Sequence, residues 1–227
     1  MDAYGIRGAA LLTLFGLLPF PPGVSRGAEP PPAGEVVLSL GFLEAPQGAE
    51  VPAITIGSDG VVWLPQDNSP RLRAADRLAP EQLRGLQQEL LTREGLARLD
   101  QQKLGPATEQ ACRLAGFSTE IEGAAVTILR VRTDAGLREF RVPALSVMAA
   151  RFPDFPELQS VFRAQLRLQN VAAIAQAGGE AATRQWAAVA SRKLRESRPQ
   201  EPPLTPQELS MYRQLDTGSR YVQFYRR

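Results

Sequence analysis

The sequence contains no histidine, one cysteine and only two lysines. Without histidine, Ser-His-Asp and Cys-His catalysis, imidazole general bases and His-ligated zinc or iron are all excluded. Neither lysine, Lys103 or Lys193, lies in the SxxK-type motif that a Ser-Lys mechanism would use. We therefore predict a non-enzymatic protein with no catalytic residues, no metal site and no cofactor.

The single cysteine, Cys112, limits the redox chemistry of the chain. One thiol cannot form an internal disulfide, and it cannot build a thiolate metal site alone. We interpret Cys112 as a small buried apolar side chain, with an intermolecular disulfide or a reactive thiol as the alternative.

The composition is that of a folded protein of about one domain. Hydrophobic residues make up 44% and charged residues 22%, which argues against extended disorder. The formal net charge of +2 gives no sign of a polyanionic partner.

Residues 1–28 have the pattern of a signal peptide. Arg7 supplies a positive charge, and the apolar run 9–18 is followed by prolines and then by small residues. Ser25 and Gly27 fit the small positions of a cleavage site, so we expect cleavage after Gly27. The alternative is a retained N-terminal anchor, but the run is shorter than the about 20 residues that a membrane span needs.

We therefore expect an exported protein, periplasmic or extracellular, with no stable membrane span after cleavage. A Pro-rich spacer, residues 29–34, follows the cleavage site. Export also argues against nucleic acid as a partner.

Three strands are predicted after the spacer. Alternating apolar residues indicate a strand over 36–43. Two further apolar runs, 51–56 and 61–64, are joined by Asp59-Gly60, which is a strong hairpin signal because both turn residues need positive φ angles.

A helix is predicted after these strands. Pro80 fits the first helical position, and a stripe of leucines indicates a helix that ends near Thr92. Residues 104–122, by contrast, include Gly105-Pro106, and we interpret them as a loop with about one helical turn.

A second hairpin and two more helices are predicted in the second half of the chain. The hairpin, 126–142, turns at 134–136, and helices are expected over 157–176 and 180–197. A Pro-rich linker, 198–203, follows.

This element order predicts an α+β fold: two β-hairpins forming an antiparallel sheet with helices on one face, an extra C-terminal helix and a basic aromatic tail. The expected organisation along the chain is a signal peptide 1–28, a spacer 29–34, an α+β domain 35–177, an additional helix 178–197, and a linker with a C-terminal segment 198–227.

Four stretches carry a resemblance to a known family: ITIGSDGVVWL, LAPEQLRGLQQELL, VTILRVRTDAGLREFRVPAL and PELQSVFRAQL. In this order they resemble small exported bacterial ββαββα domains of unknown function, including the emfourin-type inhibitors of thermolysin-like metallopeptidases. The resemblance covers residues 35–170 and implies inhibition of such a peptidase. Where the family has a GGFAG-like segment, this chain has LGFLEA, residues 40–45.

Glu120 and Glu122 are the only pair of residues that suggests catalysis. Two residues apart on a strand they would share a face, as paired-carboxylate chemistry requires. The alternative is a solvated face or loop.

Two sets of side chains could form contact surfaces. One is a basic sheet face for an anionic partner, with a solvated face as the alternative; it would contain Arg130, Arg132, Arg138 and Arg141. The other is an aromatic patch, with core packing as the alternative; it would contain Trp63, Phe152 and Phe155.

The C-terminal segment interleaves aromatic residues with arginines. Such a segment can add a strand to a partner or dock on an acidic or membrane surface, and a frayed terminus is the alternative. The candidate partner-binding residues are Tyr221, Phe224, Tyr225, Arg226 and Arg227.

These observations predict an exported, non-enzymatic binding domain whose partner is a protein. It would use either a sheet face or the C-terminal segment. The alternatives are an inhibitor of a thermolysin-like peptidase and a carboxylate-based hydrolase that uses Glu120 or Glu122.

Overall fold

The computed structural model describes residues 11–16, 35–43, 48–66, 69–118, 121–214 and 220–225. The chain divides into two units: a sheet unit, residues 24–168, and a C-terminal unit, residues 1–23 with 169–227. The division falls inside a helix, before the end that the sequence suggested for the α+β domain at residue 177.

The sheet unit contains a six-stranded antiparallel sheet, which confirms the α+β class. Its strand order is β5-β4-β3-β2-β6-β7. The strands are β2 (Val36–Leu43), β3 (Glu50–Gly57), β4 (Val61–Gln66), β5 (Ser69–Arg77), β6 (Val126–Thr133) and β7 (Gly136–Pro143).

Both predicted hairpins are confirmed, but the expectation of positive φ at both Asp59 and Gly60 is wrong, because Asp59 has no positive φ. β3 and β4 are joined through Gly60, whose φ of 82° lies in the left-handed region. The Asp59 carboxylate accepts a hydrogen bond from the Val61 N–H at 3.1 Å and stabilises this turn. β6 and β7 pair from Thr133↔Gly136 outward, and the φ of Gly136 is 122°.

Helices cover the apolar face of the sheet. The helices are α1 (Pro80–Gln88), α2 (Gln101–Leu114), α3 (Leu145–Arg151) and α4 (Pro156–Gln176). Leu40, Ile54 and Leu129 lie on this face and are fully buried. The Thr127 hydroxyl donates to the Gln165 side chain at 3.3 Å, which fixes α4 over the same face.

The predicted helix after residue 78 is confirmed and is irregular at its end. α1 continues into a π-helical turn, Glu89–Arg93, and the chain then reverses at Gly95 with a φ of 79°. A short 3₁₀ turn, Leu96–Arg98, leads to α2.

The prediction of a loop over 104–122 was wrong, because α2 continues to Leu114. The Asp100 side chain caps the helix by accepting from the Gln102 N–H at 3.0 Å. Pro106 removes only one hydrogen bond within the helix. The burial of Leu104, Thr108 and Cys112, spaced four residues apart along one face, offsets that loss.

The C-terminal unit combines a helix with a three-stranded antiparallel sheet. The helix α5 (Gly179–Ser197) confirms the prediction over 180–197, and Gly178 and Gly179 separate it from α4 with positive φ angles. The sheet order is β1-β9-β8, from β1 (Leu11–Gly16), β8 (Leu209–Gln214) and β9 (Arg220–Tyr225).

The core of the C-terminal unit is built from α4, α5 and the two C-terminal strands. Trp186 packs edge-on against Tyr212 with ring centroids 6.5 Å apart. The buried amide of Asn170 donates to the carbonyls of Pro206 and Leu209 at 3.0 and 2.8 Å. The segment assigned to a linker and tail therefore contains two ordered strands.

Among the residues that the structure describes, none of the helices combines the length and the apolar character that crossing a membrane requires.

Candidate binding groove

A groove of about 460 Å³ lies between the C-terminal half of α2 and the segment that joins α3 to α4. We call it the α2 groove. Its lining residues are Ala107, Gln110, Ala111, Leu114, Arg151, Phe152, Pro153, Asp154, Phe155 and Pro156.

The end of α2 forms one wall of the groove. Gly116 has a φ of 71°, and its N–H donates to the Arg113 carbonyl at 3.2 Å. The Phe117 N–H donates to the Cys112 carbonyl at 2.8 Å. These two hydrogen bonds are a Schellman C-cap, which stops the helix and places Phe117 next to the groove.

The opposite wall is a proline-rich segment held by hydrogen bonds. The Gln159 side-chain amide donates to the carbonyls of Ala149 and Phe152 at 2.7 and 3.1 Å. Pro153 and Pro156 restrict the backbone on both sides of Phe155. Gln159, near the start of α4, therefore holds the segment in place.

The groove exposes large apolar side chains. Leu114 is 82% exposed and Phe117 is 46% exposed. Phe117 packs edge-on against Phe152, with ring centroids 6.2 Å apart and an interplanar angle of 74°. Apolar side chains concentrated in this way on a folded surface indicate a binding site.

Two opposite charges lie in the same groove. The Arg151 guanidinium carbon is 4.7 Å from the centroid of the Phe117 ring, which is a cation–π contact. Within the described part of the chain, neither Arg151 nor Asp154 forms an ion pair. Both charges are exposed to solvent.

Cys112 lies behind the wall that α2 provides. It is 1% exposed, and its Sγ atom lies 3.6 Å from Met148 Sδ. Burial raises the pKa of the Cys112 thiol, and the nearby Arg151 charge only partly offsets this. The thiol therefore packs as an apolar group, as the sequence predicts.

The arginines of the second hairpin are engaged within the sheet unit. Arg130 donates to both carboxylate oxygens of Glu50, at 2.6 and 2.7 Å, and to Glu139 at 2.6 Å. Arg141 donates to the other oxygen of Glu139 at 2.6 Å. The hydrogen bond with Glu50 is the main reason that the pKa of Arg130 is raised.

The two remaining arginines of that set bond to backbone carbonyls. Arg132 donates to the Val36 carbonyl at 2.8 Å. Arg138 donates to the carbonyls of Ala97 and Leu99. Arg130, Arg132 and Arg141 thus make contacts within the sheet, and Arg138 joins β7 to the 3₁₀ turn. These contacts explain the positions of the four arginines without an anionic partner.

The structure separates the aromatic candidates. Trp63 is 4% exposed and belongs to the packed interior of the sheet unit. Phe152 and Phe155 are half-buried and line the α2 groove. Only the two phenylalanines therefore face a surface.

The described residues include only one of the two candidate catalytic carboxylates, Glu122. Glu120 lies outside the described residues, and Glu122 is an exposed turn residue. Among the residues that are described, no group of three or more Asp, Glu or Cys side chains could hold a metal ion.

The C-terminal candidates fall on β9. Phe224 is fully buried, so its side chain belongs to the core of the C-terminal unit. The backbone of Tyr221 pairs with β8 and β1, and that of Tyr225 pairs with β1. Arg226 and Arg227 lie outside the described residues.

Sequence reasoning identified one wall of the groove and missed the other. The sequence predicts Phe152 and Phe155 as candidate contact residues, because large aromatic residues in a proline-rich loop have few local packing partners. The sequence does not predict Leu114 and Phe117 as groove residues, because Pro106 favours a loop where the structure has α2. Gly116 is the signal that could have revealed them, since a glycine after an apolar periodic stretch marks a helix end.

Comparison with known proteins gives no relative from which a role could be transferred. No family model matches the chain, and no curated protein or solved structure matches it either.

Proposed function

We propose that the protein is an exported, non-enzymatic binding module that holds an apolar segment of a partner protein in the α2 groove. The observation that carries this proposal is the exposure of Leu114 and Phe117 at the open, mainly apolar α2 groove. Exposed side chains of this size cost solvation free energy, and burial against a bound partner would recover it.

The rigidity of both walls supports binding. The Schellman cap of α2 and the amide of Gln159 fix the groove through local hydrogen bonds. A fixed surface loses little conformational entropy when a partner binds, and this favours affinity.

The proposal of export rests on residues 1–28. Within that stretch the structure describes Leu11–Gly16, which forms β1 and pairs with β9. Cleavage after Gly27 would remove β1 and leave β9 paired with β8 alone. N-terminal sequencing of the protein from the extracytoplasmic fraction tests this, and a mature chain that starts at Met1 would overturn cleavage.

The binding role is tested by site-specific photo-crosslinking in the export-competent host. A photoreactive phenylalanine analogue replaces Leu114 in one variant and Leu137 in a matched control. Leu137 is also an exposed leucine, 42% exposed, but lies at the start of β7.

We expect a specific crosslinked protein from position 114 and not from position 137. The same product from both positions, or none from position 114, would contradict a binding role for the groove. Identification of the product as a thermolysin-like metallopeptidase would favour the inhibitor alternative, which stoichiometric inhibition of that enzyme would then test.

A further inference from the structure

We infer that the α2 groove selects apolar peptide segments that carry one carboxylate, which Arg151 binds. This inference rests on the proposed function and names the chemistry of the partner segment. It follows from three observations: Arg151 has no carboxylate partner among the described residues, the negative charge of Asp154 lies in the same groove, and the groove has the volume of a ligand site.

Arg151 differs from the arginines of the sheet unit that bind a glutamate. Arg130, Arg163 and Arg167 all bind glutamates, at 2.6, 2.6 and 2.9 Å. Arg151 has no carboxylate partner among the described residues, and its guanidinium contacts the face of the Phe117 ring. Its hydrogen-bond donors therefore remain available to a ligand.

The contact with Phe117 prepares Arg151 for a carboxylate. A guanidinium is a planar donor fork that binds a carboxylate through two parallel hydrogen bonds. Stacking on an aromatic ring restricts the rotamers of the side chain, so less entropy is lost when a ligand binds. The carboxylate would then lie directly beside the apolar wall.

Asp154 limits the ligand to one negative charge. It lines the same groove and forms no ion pair with the described residues, so a second carboxylate on the ligand would meet a like charge. The ligand that complements the groove is thus mainly apolar with a single acidic residue.

The size and openness of the groove point to a peptide segment. A volume of about 460 Å³ lies within the roughly 300–1,000 Å³ of typical ligand sites. Leu114 projects at the groove with most of its surface in solvent, as expected of an open docking surface and not of an enclosed small-molecule cavity.

The test uses fluorescent heptapeptides with blocked ends, composed of leucine, phenylalanine, valine and glycine. One Glu is placed at each position in turn, and each peptide has a twin with Gln in place of Glu and a second twin with an additional Glu. Binding to the full chain is measured by fluorescence anisotropy. Dodecanoate serves as a non-peptide apolar carboxylate.

We expect the best single-Glu peptide to bind up to about fivefold more tightly than its Gln twin, which is the upper end of the strength of an exposed ion pair. The twin with two Glu residues should bind more weakly than the single-Glu peptide. Arg151→Gln should abolish the preference for Glu. Arg113→Gln, which changes an exposed arginine of α2 outside the groove lining, should retain it.

Three outcomes would overturn the inference. Equal binding of Glu and Gln peptides, lost in Leu114→Asp, would remove the role of Arg151 while leaving the groove as a binding site. Binding that Leu114→Asp does not affect would place recognition elsewhere and contradict the proposed function as well. Binding of dodecanoate in the absence of peptide binding would assign the groove to an amphiphilic small molecule.

Discussion

The Arg151 guanidinium carbon, in the lining of the α2 groove, lies 4.7 Å from the centroid of the Phe117 ring beside the groove. The contact joins the capped end of α2 to the end of α3. It shows that the groove has a defined geometry, while both side chains remain exposed to solvent.

Phe117→Ala should have a modest effect on stability, because the ring is half exposed. We expect the free energy of unfolding to fall by about 1–2.5 kcal/mol, the combined value of an exposed cation–π contact and of the edge-on contact with Phe152. Phe140→Ala, at a fully buried position, should cost about 3–5 kcal/mol. Urea denaturation measures both, and equal losses would mean that Phe117 is a core residue and not a groove residue.

Gly41→Ala should be destabilising because of Glu50. A Cβ atom at Gly41 would lie 2.4 Å from Glu50 Oε1, and that carboxylate is held by Arg130. We expect a cost of about 1–3 kcal/mol, typical of overpacking. In a Glu50→Ala background the clash is gone, so Gly41→Ala should then cost much less.

The double-mutant cycle in urea provides the measurement. Additive effects of Gly41→Ala and Glu50→Ala would show that the glycine is needed for another reason.

Gly60→Ala should also be destabilising, but for a backbone reason. The φ of 82° disfavours any L side chain, and a Cβ atom would lie 2.4 Å from the Leu78 carbonyl oxygen. We expect a loss of more than about 1 kcal/mol. Gly85→Ala, at an open and exposed position of α1, should instead stabilise by about 0.5–1 kcal/mol.

Thermal unfolding of the two glycine variants measures the difference. A midpoint that falls for both variants would contradict the assignment of Gly85 to an unstrained helix.

Glu139 should contribute to stability at neutral pH and lose that contribution in acid. Burial raises its pKa, but hydrogen bonds from Arg141 and Arg130 outweigh this and hold the pKa of the Glu139 carboxyl below its ordinary value. A group whose pKa is lowered by folding stabilises the protein above its unfolded pKa, about 4.3 for glutamate. That stability is lost as the pH falls through the folded value.

Chemical denaturation between neutral pH and acid tests this expectation. Glu139→Gln should reduce the loss of stability below about pH 4.3 relative to the parent chain. An unchanged acid dependence would mean that Glu139 is not ionised and paired in the folded state.

The regular apolar patterns predicted most of the fold. β3, β4, β6 and β7 follow from alternation around glycine turns, and the helices α4 and α5 follow from long apolar stripes. In these segments the local pattern and the tertiary packing favour the same structure.

The elements that were missed lack such a pattern. β5 contains Pro70 and several charged residues, which an edge strand tolerates because one of its sides needs no backbone partner. α2 is not predicted because Pro106, a residue that usually breaks helices, lies within it. α3 is only seven residues long and begins after Ala144, whose φ of 48° gives no sequence signal.

The groove could be predicted only in part for the same reason. Its aromatic wall is visible in the sequence at Phe152 and Phe155. Its other wall depends on the exact end of α2, and only tertiary structure brings Leu114 and Phe117 opposite that loop.

The most direct test of binding in the α2 groove is an NMR titration of the isotopically labelled full chain with the best single-Glu apolar heptapeptide. We expect saturable amide shifts clustered at 107–117 and 151–156, which are lost in Leu114→Asp. Shifts confined to β8, β9 or the strands of the six-stranded sheet, or no shifts at all, would contradict binding in the α2 groove.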